Sequence, residues 1–531
     1  MFEKTLPRVL KLNVSIPQAH QQVFDCLRHV KEENRLPVVL RVAGGWVRDT
    51  LLGLHSNDID IAIETLGSGD VVSGEQFARA VSAYQARHGD REHTVGVIRV
   101  NPALSKHIET ATVNVLDFPV EFCALRADDY CSDSRIPRVR VGTLMEDAQR
   151  RDFTINALFY NLEREEVEDY TTGLGDLEAR VIRCPIRPED TFKDDPLRLL
   201  RGVRFAGQLG PNGFHLDPSI VQCVDESLLD VLLAKVSRER IGKEFVKMLA
   251  GPCPTVCIDL LLSMCILQRI LLVEVHLKST KGKKETPQEV ERLVALVGDT
   301  PAEAEHAVLG LGQVNRVVCP LLISHSSSFA LTKEDATLAM VFALIAPFYR
   351  GVSADELQCR VPALCVNALK LPSAFSSAMN RMLLSYNILL SNAFSMTDAA
   401  TMDQLGAKMK VFDALAPLND KCVPADAFKV VLLMYLTLEC MPHLFTEGSP
   451  QDCFGLLNNV WRGMEMQAPL LDAHKLDLPI KGNELRRMLG LEPKEIGSTL
   501  LEVRKMIVLN PSHTRESIIQ QLQTQVRKRD I

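Results

Sequence analysis

The sequence has no apolar run approaching the roughly twenty residues that a membrane-spanning helix needs. Its best candidate, residues 336–348, is interrupted by Thr337 and Pro347 and reads as a buried helix, so no membrane partner is expected. Residues 1–12 are mildly basic and have neither a secretory apolar region nor the serine and arginine density of a transit peptide. A cytosolic or nuclear protein is therefore expected, with a mitochondrial form left open. A disulfide framework is also missing: fourteen cysteines, Cys26, Cys123, Cys184 and Cys265 among them, are scattered as reduced intracellular thiols would be. Cys253 and Cys257 are spaced for one helix face, but no second pair and no nearby His completes a zinc set. No internal repeat is evident, which leaves a globular chain whose 531 residues are too many for one core and imply two to four units.

The most informative stretch runs from Arg41 to Glu64. Within it Asp58, Ile59, Asp60, Ile61, Ala62 and Ile63 alternate with the period of a strand, which puts both carboxylates on one face and the isoleucines in a core. Two like charges so placed repel each other, and a divalent cation relieves the repulsion while supplying the Lewis acid of phosphoryl or nucleotidyl transfer. Hard oxygen ligands without a nearby His or Cys point to Mg²⁺, held by Asp58 and Asp60.

Upstream, Gly44 and Gly45 separate the apolar run Val38–Val42 from a helical pattern at Trp46, Val47, Thr50 and Leu51. A strand, a glycine turn and a helix start can cradle a triphosphate, with Arg48 on the first turn reaching the γ end. The bland alternative is a tight turn followed by a solvated arginine.

These residues resemble the first signature of the tRNA nucleotidyltransferases, the CCA-adding enzymes of the eukaryotic and bacterial class, within the DNA polymerase β-like nucleotidyltransferase superfamily. Residues 146–161, 194–206 and 237–245 resemble the later signatures in the same order, and residues 101–112 and 134–137 look like their eukaryotic versions. The likeness is dense from Leu36 to Leu249 and faint beyond. It implies an α+β protein: a small polymerase-β-like nucleotidyltransferase head with a mixed β-sheet, followed by an elongated all-α neck, body and tail. The boundaries expected are a helical N-terminal extension over residues 1–35, a head over 36–180, a neck with the nucleotide-selecting helix over 181–255, a body over 256–420 and a tail over 421–531. No His-Asp dipeptide occurs, so the phosphohydrolase module of some bacterial relatives is not expected.

The resemblance implies a third carboxylate that completes the metal shell and deprotonates a 3′-hydroxyl. Glu121, acidic within an apolar strand, is the candidate; the alternative is an edge-strand glutamate facing water. Arg151 is placed to contact the phosphates. Asp152 and Asn156, four apart on an expected helical face, are placed to bond the ribose hydroxyls, unless Asp152 only caps that helix. Asp194, Asp195 and Pro196 form a clear helix start. Beyond it, Asp195 and Arg198 face the same way, and an acceptor beside a donor matches the base edges of cytosine and adenine but not those of uracil and guanine.

Such a pair would act as a protein template for CTP and ATP. Arg201 and Arg204 continue a basic face suited to triphosphate or RNA backbone. The glycines of residues 169–177 resemble a hinge between head and neck, with a plain loop as the alternative, and residues 481–497 resemble a tail element that meets tRNA, although Lys494 stands where a glycine is usual. The expected activity is addition of CCA to the 3′ end of tRNA. A poly(A) polymerase on the same fold and an inactive RNA-binding scaffold are the competing readings.

Overall fold

A computed structural model of the chain describes residues 7–11, 16–56, 58–67, 71–89, 93–98, 110–129, 138–271, 332–395, 405–418, 427–435 and 477–529, together with Val423 and Glu439. The motifs at residues 101–109 and 134–137 and the loops expected at 278–285 and 447–450 lie outside these residues. Two compact units divide the chain, Met1–Ser237 and Arg238–Ile531.

The first unit is organised by one eight-stranded mixed sheet. Its strands are β1 (Arg8–Lys11), β2 (Val38–Ala43), β3 (Ile59–Thr65), β4 (Gly96–Ile98), β5 (Thr110–Val115), β6 (Phe118–Ala124), β9 (Leu158–Asn161) and β10 (Glu166–Asp169), in the order β1-β10-β9-β2-β3-β6-β5-β4. Strands β7 (Arg126–Asp129) and β8 (Arg138–Val141) form a separate antiparallel pair, and β11 (Val181–Ile182) and β12 (His215–Leu216) a short parallel one. Residues of alternating parity point to opposite faces of a sheet. On one face, Ile59, Ile61, Ile63, Val42 and Phe122 are buried beneath helices α1 (Gln18–Glu33) and α3 (Gly74–Arg87), which contribute Phe24, Leu27, Phe77 and Val81. Trp46 locks α2 (Gly45–Leu51) onto this core, edge-on to Phe24 at 5.2 Å and donating from its indole N–H to His20 Nδ1 at 3.1 Å. The other face is left to carry Asp60 and Glu121.

That second face is closed at one end by Leu144 and Ala148 of α4 (Leu144–Gln149), which pack with Ala43, Ala62, Ala157 and Phe159. Its far end holds a buried ionic cluster. Arg41 donates to Glu168 at 2.6 Å and to Glu64 at 2.7 Å, while Asn161 and Tyr170 also donate to Glu168.

Three expectations change here. The residues taken as a helical extension hold an edge strand as well as α1, and both belong to this unit, because Arg8–Lys11 pairs with Glu166–Asp169 and α1 buries Val23, Phe24, Leu27 and Val30. The helix expected to carry Asp152 and Asn156 is a single 3₁₀ turn, Thr154–Asn156, since the next residues, Leu158–Asn161, fill the gap between β2 and β10 as a strand. Gly173, expected in a hinge, sits in α5 (Gly173–Ala179) so close to the Thr154 carbonyl that an added Cβ would lie 2.5 Å from it. There its absent side chain serves contact rather than backbone freedom. The Asp169 carboxylate accepts from the N–H groups of Thr171, Gly173 and Leu174 and fixes the same turn.

Helices α6 (Pro188–Asp194), α7 (Leu197–Leu209), α8 (Pro218–Gln222) and α9 (Glu226–Lys235) complete the unit. The second unit is helical throughout its described residues. Of its expected core stripes, Met379, Met382, Leu383 and Tyr386 are buried, as are Val430, Leu433 and Met434. At its end the helices Gly482–Leu489, Ile496–Leu509 and Arg515–Arg529 close over Leu485, Val503, Met506 and Ile518. Gly482 permits that closure, with an added Cβ only 2.9 Å from Ile496, and Gly490 at φ +69° ends the first helix. No helix among the described residues is long and apolar enough to cross a membrane.

Candidate active site

Sheet register assembles the site. Ala43 of β2 pairs with Asp60 of β3, and Asp60 pairs with Glu121 of the parallel strand β6, so the two carboxylates stand side by side one residue from the glycine turn. Asp58 precedes β3 and is exposed. Although Asp60 reaches solvent, partial loss of hydration, then the charges of Glu121 and Asp58, push its carboxyl up to about 6 against the pull of Arg151. A divalent cation relieves this condition, and the donors are hard oxygens, so the residues fit Mg²⁺. Among the described residues no three His, Cys, Asp or Glu side chains converge into a closed metal cage. The fit therefore rests on donor chemistry and a shared face.

The turn itself is glycine for two reasons. Gly44 has φ +75° and ψ −126°, and an added Cβ would stand 3.2 Å from Arg151 Nη1 and 3.5 Å from the Asn156 carbonyl. Its N–H donates to the Leu158 carbonyl at 3.0 Å, which ties the turn to β9.

Arg48 is not a solvated residue of the first turn. It is buried, donates to Asp49 Oδ1 at 2.8 Å and to Asn156 Oδ1 at 2.5 Å, and lies 5.0 Å from the centre of the Phe205 ring. Arg151 is equally held. Both Nε and Nη2 donate to Asp147 Oδ2 at 3.1 and 2.9 Å, Nη1 donates to the Asn156 carbonyl, and the guanidinium lies 5.0 Å from the Phe159 ring. Asp147 also accepts from Arg150. Burial raises the Asp147 pKa, but Arg151 and Arg150 outweigh it and hold the carboxyl below its usual range.

Asp152 and Asn156 do meet, without the helix expected for them. Asn156 Nδ2 donates to Asp152 Oδ1 at 3.1 Å. The same oxygen accepts from the Phe153 N–H at 2.8 Å, and Asp152 Oδ2 accepts from Arg201 Nε at 2.8 Å and forms an ion pair with Nη2 at 2.7 Å. Burial pushes this carboxyl up, yet Arg201 and the Asn156 hydrogen bond leave it below the ordinary value.

On α7, Asp195 Oδ1 accepts from the Leu197 N–H at 3.1 Å and so caps the helix, whereas Asp194 closes α6. Arg198 donates to two main-chain carbonyls, Thr191 at 3.3 Å and Arg150 at 2.6 Å. Arg204 donates to Gln208 at 2.9 Å and covers the Phe205 ring at 4.2 Å. Sequence reasoning missed Asp49, Asp147 and Phe205. Asp147 was legible, because its spacing of three and four from Arg150 and Arg151 is that of helix neighbours. Asp49 and Phe205 carried no such local signal.

Residues 40–183 match the family model described as the poly A polymerase head domain, and residues 213–273 match the probable RNA- and SrmB-binding site of polymerase A. The mitochondrial CCA tRNA nucleotidyltransferase of Saccharomyces cerevisiae is 42% identical over 263 residues, 48% of this chain and 46% of that protein. The chain spans about half the length of the curated relatives it matches at this level. A tRNA nucleotidyltransferase of Schizosaccharomyces pombe, cca1, is 29% identical over 96% of both chains. Among solved structures, the Thermotoga maritima CCA-adding enzyme complexed with tRNA shares the fold at a TM-score of 0.58 and 18% identity, over 96% of each chain. With the signatures on one sheet face and its flanking turns, these likenesses converge: the chain is similar over about half its length to eukaryotic tRNA nucleotidyltransferases, and its fold is that of the CCA-adding enzymes, with a polymerase-β-like head.

Proposed function

We propose that the protein adds C, C and A to the 3′ end of tRNA from CTP and ATP without a nucleic-acid template. The observation that supports this reading is the row Ala43, Asp60 and Glu121 across three neighbouring strands, because it sets paired carboxylates beside a glycine turn flanked by the buried Arg48 and the half-buried Arg151. Asp58 and Asp60 would hold Mg²⁺, which when bound supplies Lewis-acid polarisation at the reacting phosphate. Gly44 and Gly45 let the backbone approach the triphosphate, and Arg48 and Arg151 lend positive charge at the turn. Glu121 takes the proton of the attacking 3′-hydroxyl. Asp195 and Arg198 read the base edge, and Asp152 and Asn156 bond the ribose hydroxyls. Arg201 and Arg204 extend the positive face of α7 toward phosphate or RNA.

The head, neck, body and tail boundaries given above belong to the same reading, as does a cytosolic or nuclear pool with a mitochondrial form. The head-domain match also fits a poly(A) polymerase, and one assay separates the two. Purified protein is incubated with tRNA lacking its 3′ CCA and with each nucleotide, singly and together. Incorporation of two C residues and then one A supports the proposal. Long A tails support the polymerase, and no incorporation supports the scaffold.

A further inference from the structure

The Asp147 side chain on α4 is 2% exposed, and its two oxygens go to successive arginines. Oδ1 accepts from Arg150 Nε at 2.9 Å and from Arg150 Nη2, and Oδ2 accepts from Arg151 Nε and Nη2 at 3.1 and 2.9 Å. Spacings of three and four bring both guanidiniums to the same side of α4, where they would repel each other without the anion between them. Bidentate bonds between ionised groups also fix direction as well as distance.

The two arginines lead to different parts of the site. Arg151 stands at the glycine turn: its Nη1 donates to the Asn156 carbonyl at 3.3 Å and lies 3.2 Å from the place of the Cβ that Gly44 lacks. Arg150 acts through its main chain. It caps α4, its N–H donates to the Glu146 carbonyl at 3.1 Å, and its own carbonyl accepts from Arg198 Nη2 at 2.6 Å. With the N–H tied into α4 and the side chain tied to Asp147 one turn back, the direction of that carbonyl is set. Arg198 of α7 therefore leans on an acceptor whose place depends on Asp147.

We propose that Asp147 is a positioning residue for base selection as well as for the phosphate turn: it holds Arg151 beside Gly44 and, through the main chain of Arg150, holds Arg198 in its direction. This rests on the reading that the site takes a nucleoside triphosphate and that Arg198 reads its base. Asp147 is too deeply buried to touch either. Loss of its charge weakens both functions, whereas Arg150→Met leaves the pair of Asp147 with Arg151 in place and weakens selection alone.

The test uses the full-length wild-type protein, Asp147→Asn and Arg150→Met in single-nucleotide incorporation on tRNA lacking its 3′ CCA. Two quantities are read: the preference for CTP over UTP, and the inhibition constant of inorganic triphosphate, which has no base. Asp147→Asn is expected to lower the preference by roughly fivefold or more, the scale of one base contact. It should also weaken inhibition by inorganic triphosphate by roughly tenfold, the scale of a lost hydrogen bond to a charged group. Arg150→Met is expected to lower the preference by a similar factor while inhibition stays near wild type. A variant that is merely less stable loses active protein and so loses rate with every nucleotide equally, which moves neither quantity. A wild-type preference in folded Arg150→Met overturns the proposal, as does wild-type inhibition in folded Asp147→Asn.

If the wild-type protein adds no nucleotide, it is the catalytic reading that has failed. The link is then judged by thermal unfolding of Asp147→Asn, Arg198→Met and the double variant. Asp147 and Arg198 share no hydrogen bond or ion pair, and residue 150 bonds to both. Less than additive loss of Tm supports the link, and additive loss overturns it. Should Asp147→Asn not fold, Arg150→Met takes its place in the cycle and carries the selectivity assay.

Discussion

Replacing Gly44 by Ala tests the turn on which the site is hung. Two costs add. The backbone at φ +75° and ψ −126° lies outside the wells open to L-residues, and holding a non-glycine residue in such a region costs of the order of 1–3 kcal/mol. The new Cβ would also meet Arg151 Nη1 at 3.2 Å, and Arg151 cannot swing away freely because Asp147 holds its Nε and Nη2. Gly53 supplies the control. Its φ of +69° is similar, but nothing stands within 4 Å of its would-be Cβ, so Gly53→Ala reports the backbone cost alone, about 1–2 kcal/mol. Urea or thermal unfolding of the full chain, monitored on the transition of the first unit, should place Gly44→Ala clearly below Gly53→Ala. Its nucleotide KM should rise as Arg151 is displaced, whereas that of Gly53→Ala should not. Equal stability of the two variants would refute the claim that the turn and Arg151 are packed against each other.

Asp58→Ala and Asp60→Ala should each abolish addition of C and of A while tRNA binding, read by filter retention, stays near wild type; substantial Mg²⁺-dependent activity in either variant would remove them from the metal site. Asp147→Asn should destabilise the protein by about 3–5 kcal/mol, because Arg150 and Arg151 lose the buried charge that both share. The sign with pH follows from its lowered pKa: the stabilisation is complete above the ordinary carboxylate value and is lost as pH falls below about 4 through the folded value. Acid titrations of stability should therefore be shallower in Asp147→Asn than in wild type. Asp195→Ala should lose discrimination against UTP and GTP by roughly 1–3 kcal/mol per base contact while the lost cap costs about 1 kcal/mol of stability; a folded variant with unchanged CTP and ATP selectivity would leave Asp195 a cap only. Affinity for tRNA should fall with added salt despite the net charge of −7, and a salt-independent affinity would reduce the arginines of α7 to ordinary surface.

What could be read from the sequence was local. The Asp58–Ile63 alternation fixes a face because side-chain period in a strand is two, and the structure buries Ile59, Ile61 and Ile63 as that period demands. The Gly44–Gly45 turn was legible for the same reason, since it separates two short patterns. What escaped depended on distant partners. The edge strand Arg8–Lys11 is exposed and has no apolar alternation; it exists because Glu166–Asp169 offers it an open edge. Residues 156–161 satisfy a helix period and a strand period equally, and only the vacancy beside β2 decides between them. The burial of Arg48 was not legible because its acceptor, Asn156, lies 108 positions away. The pairing of Asp60 with Glu121 was likewise invisible, because a parallel register is set by the crossover between the strands and not by either strand alone.

Selection by a protein side chain requires that its donors hold still whichever base arrives. On the proposed reading Arg198 meets that requirement through the main chain: its guanidinium donates to the carbonyl of Thr191 in α6 and to that of Arg150, which caps α4. Main-chain carbonyls move less than side chains, so a mismatched base must either break those bonds or leave a polar group unpaired, and an unpaired buried group costs about 1–3 kcal/mol. Asp195 is held by a different device, the first turn of α7, where Oδ1 is committed to the Leu197 N–H. On the proposed reading the cap is part of the recognition, because it fixes the direction of the carboxylate. The two groups are then placed by different contacts at the start of α7, and Arg48 against Phe205 joins that helix to the one after the glycine turn. On that reading a chain with a net charge of −7 reads the base with a guanidinium and a carboxylate whose directions are each fixed by the main chain.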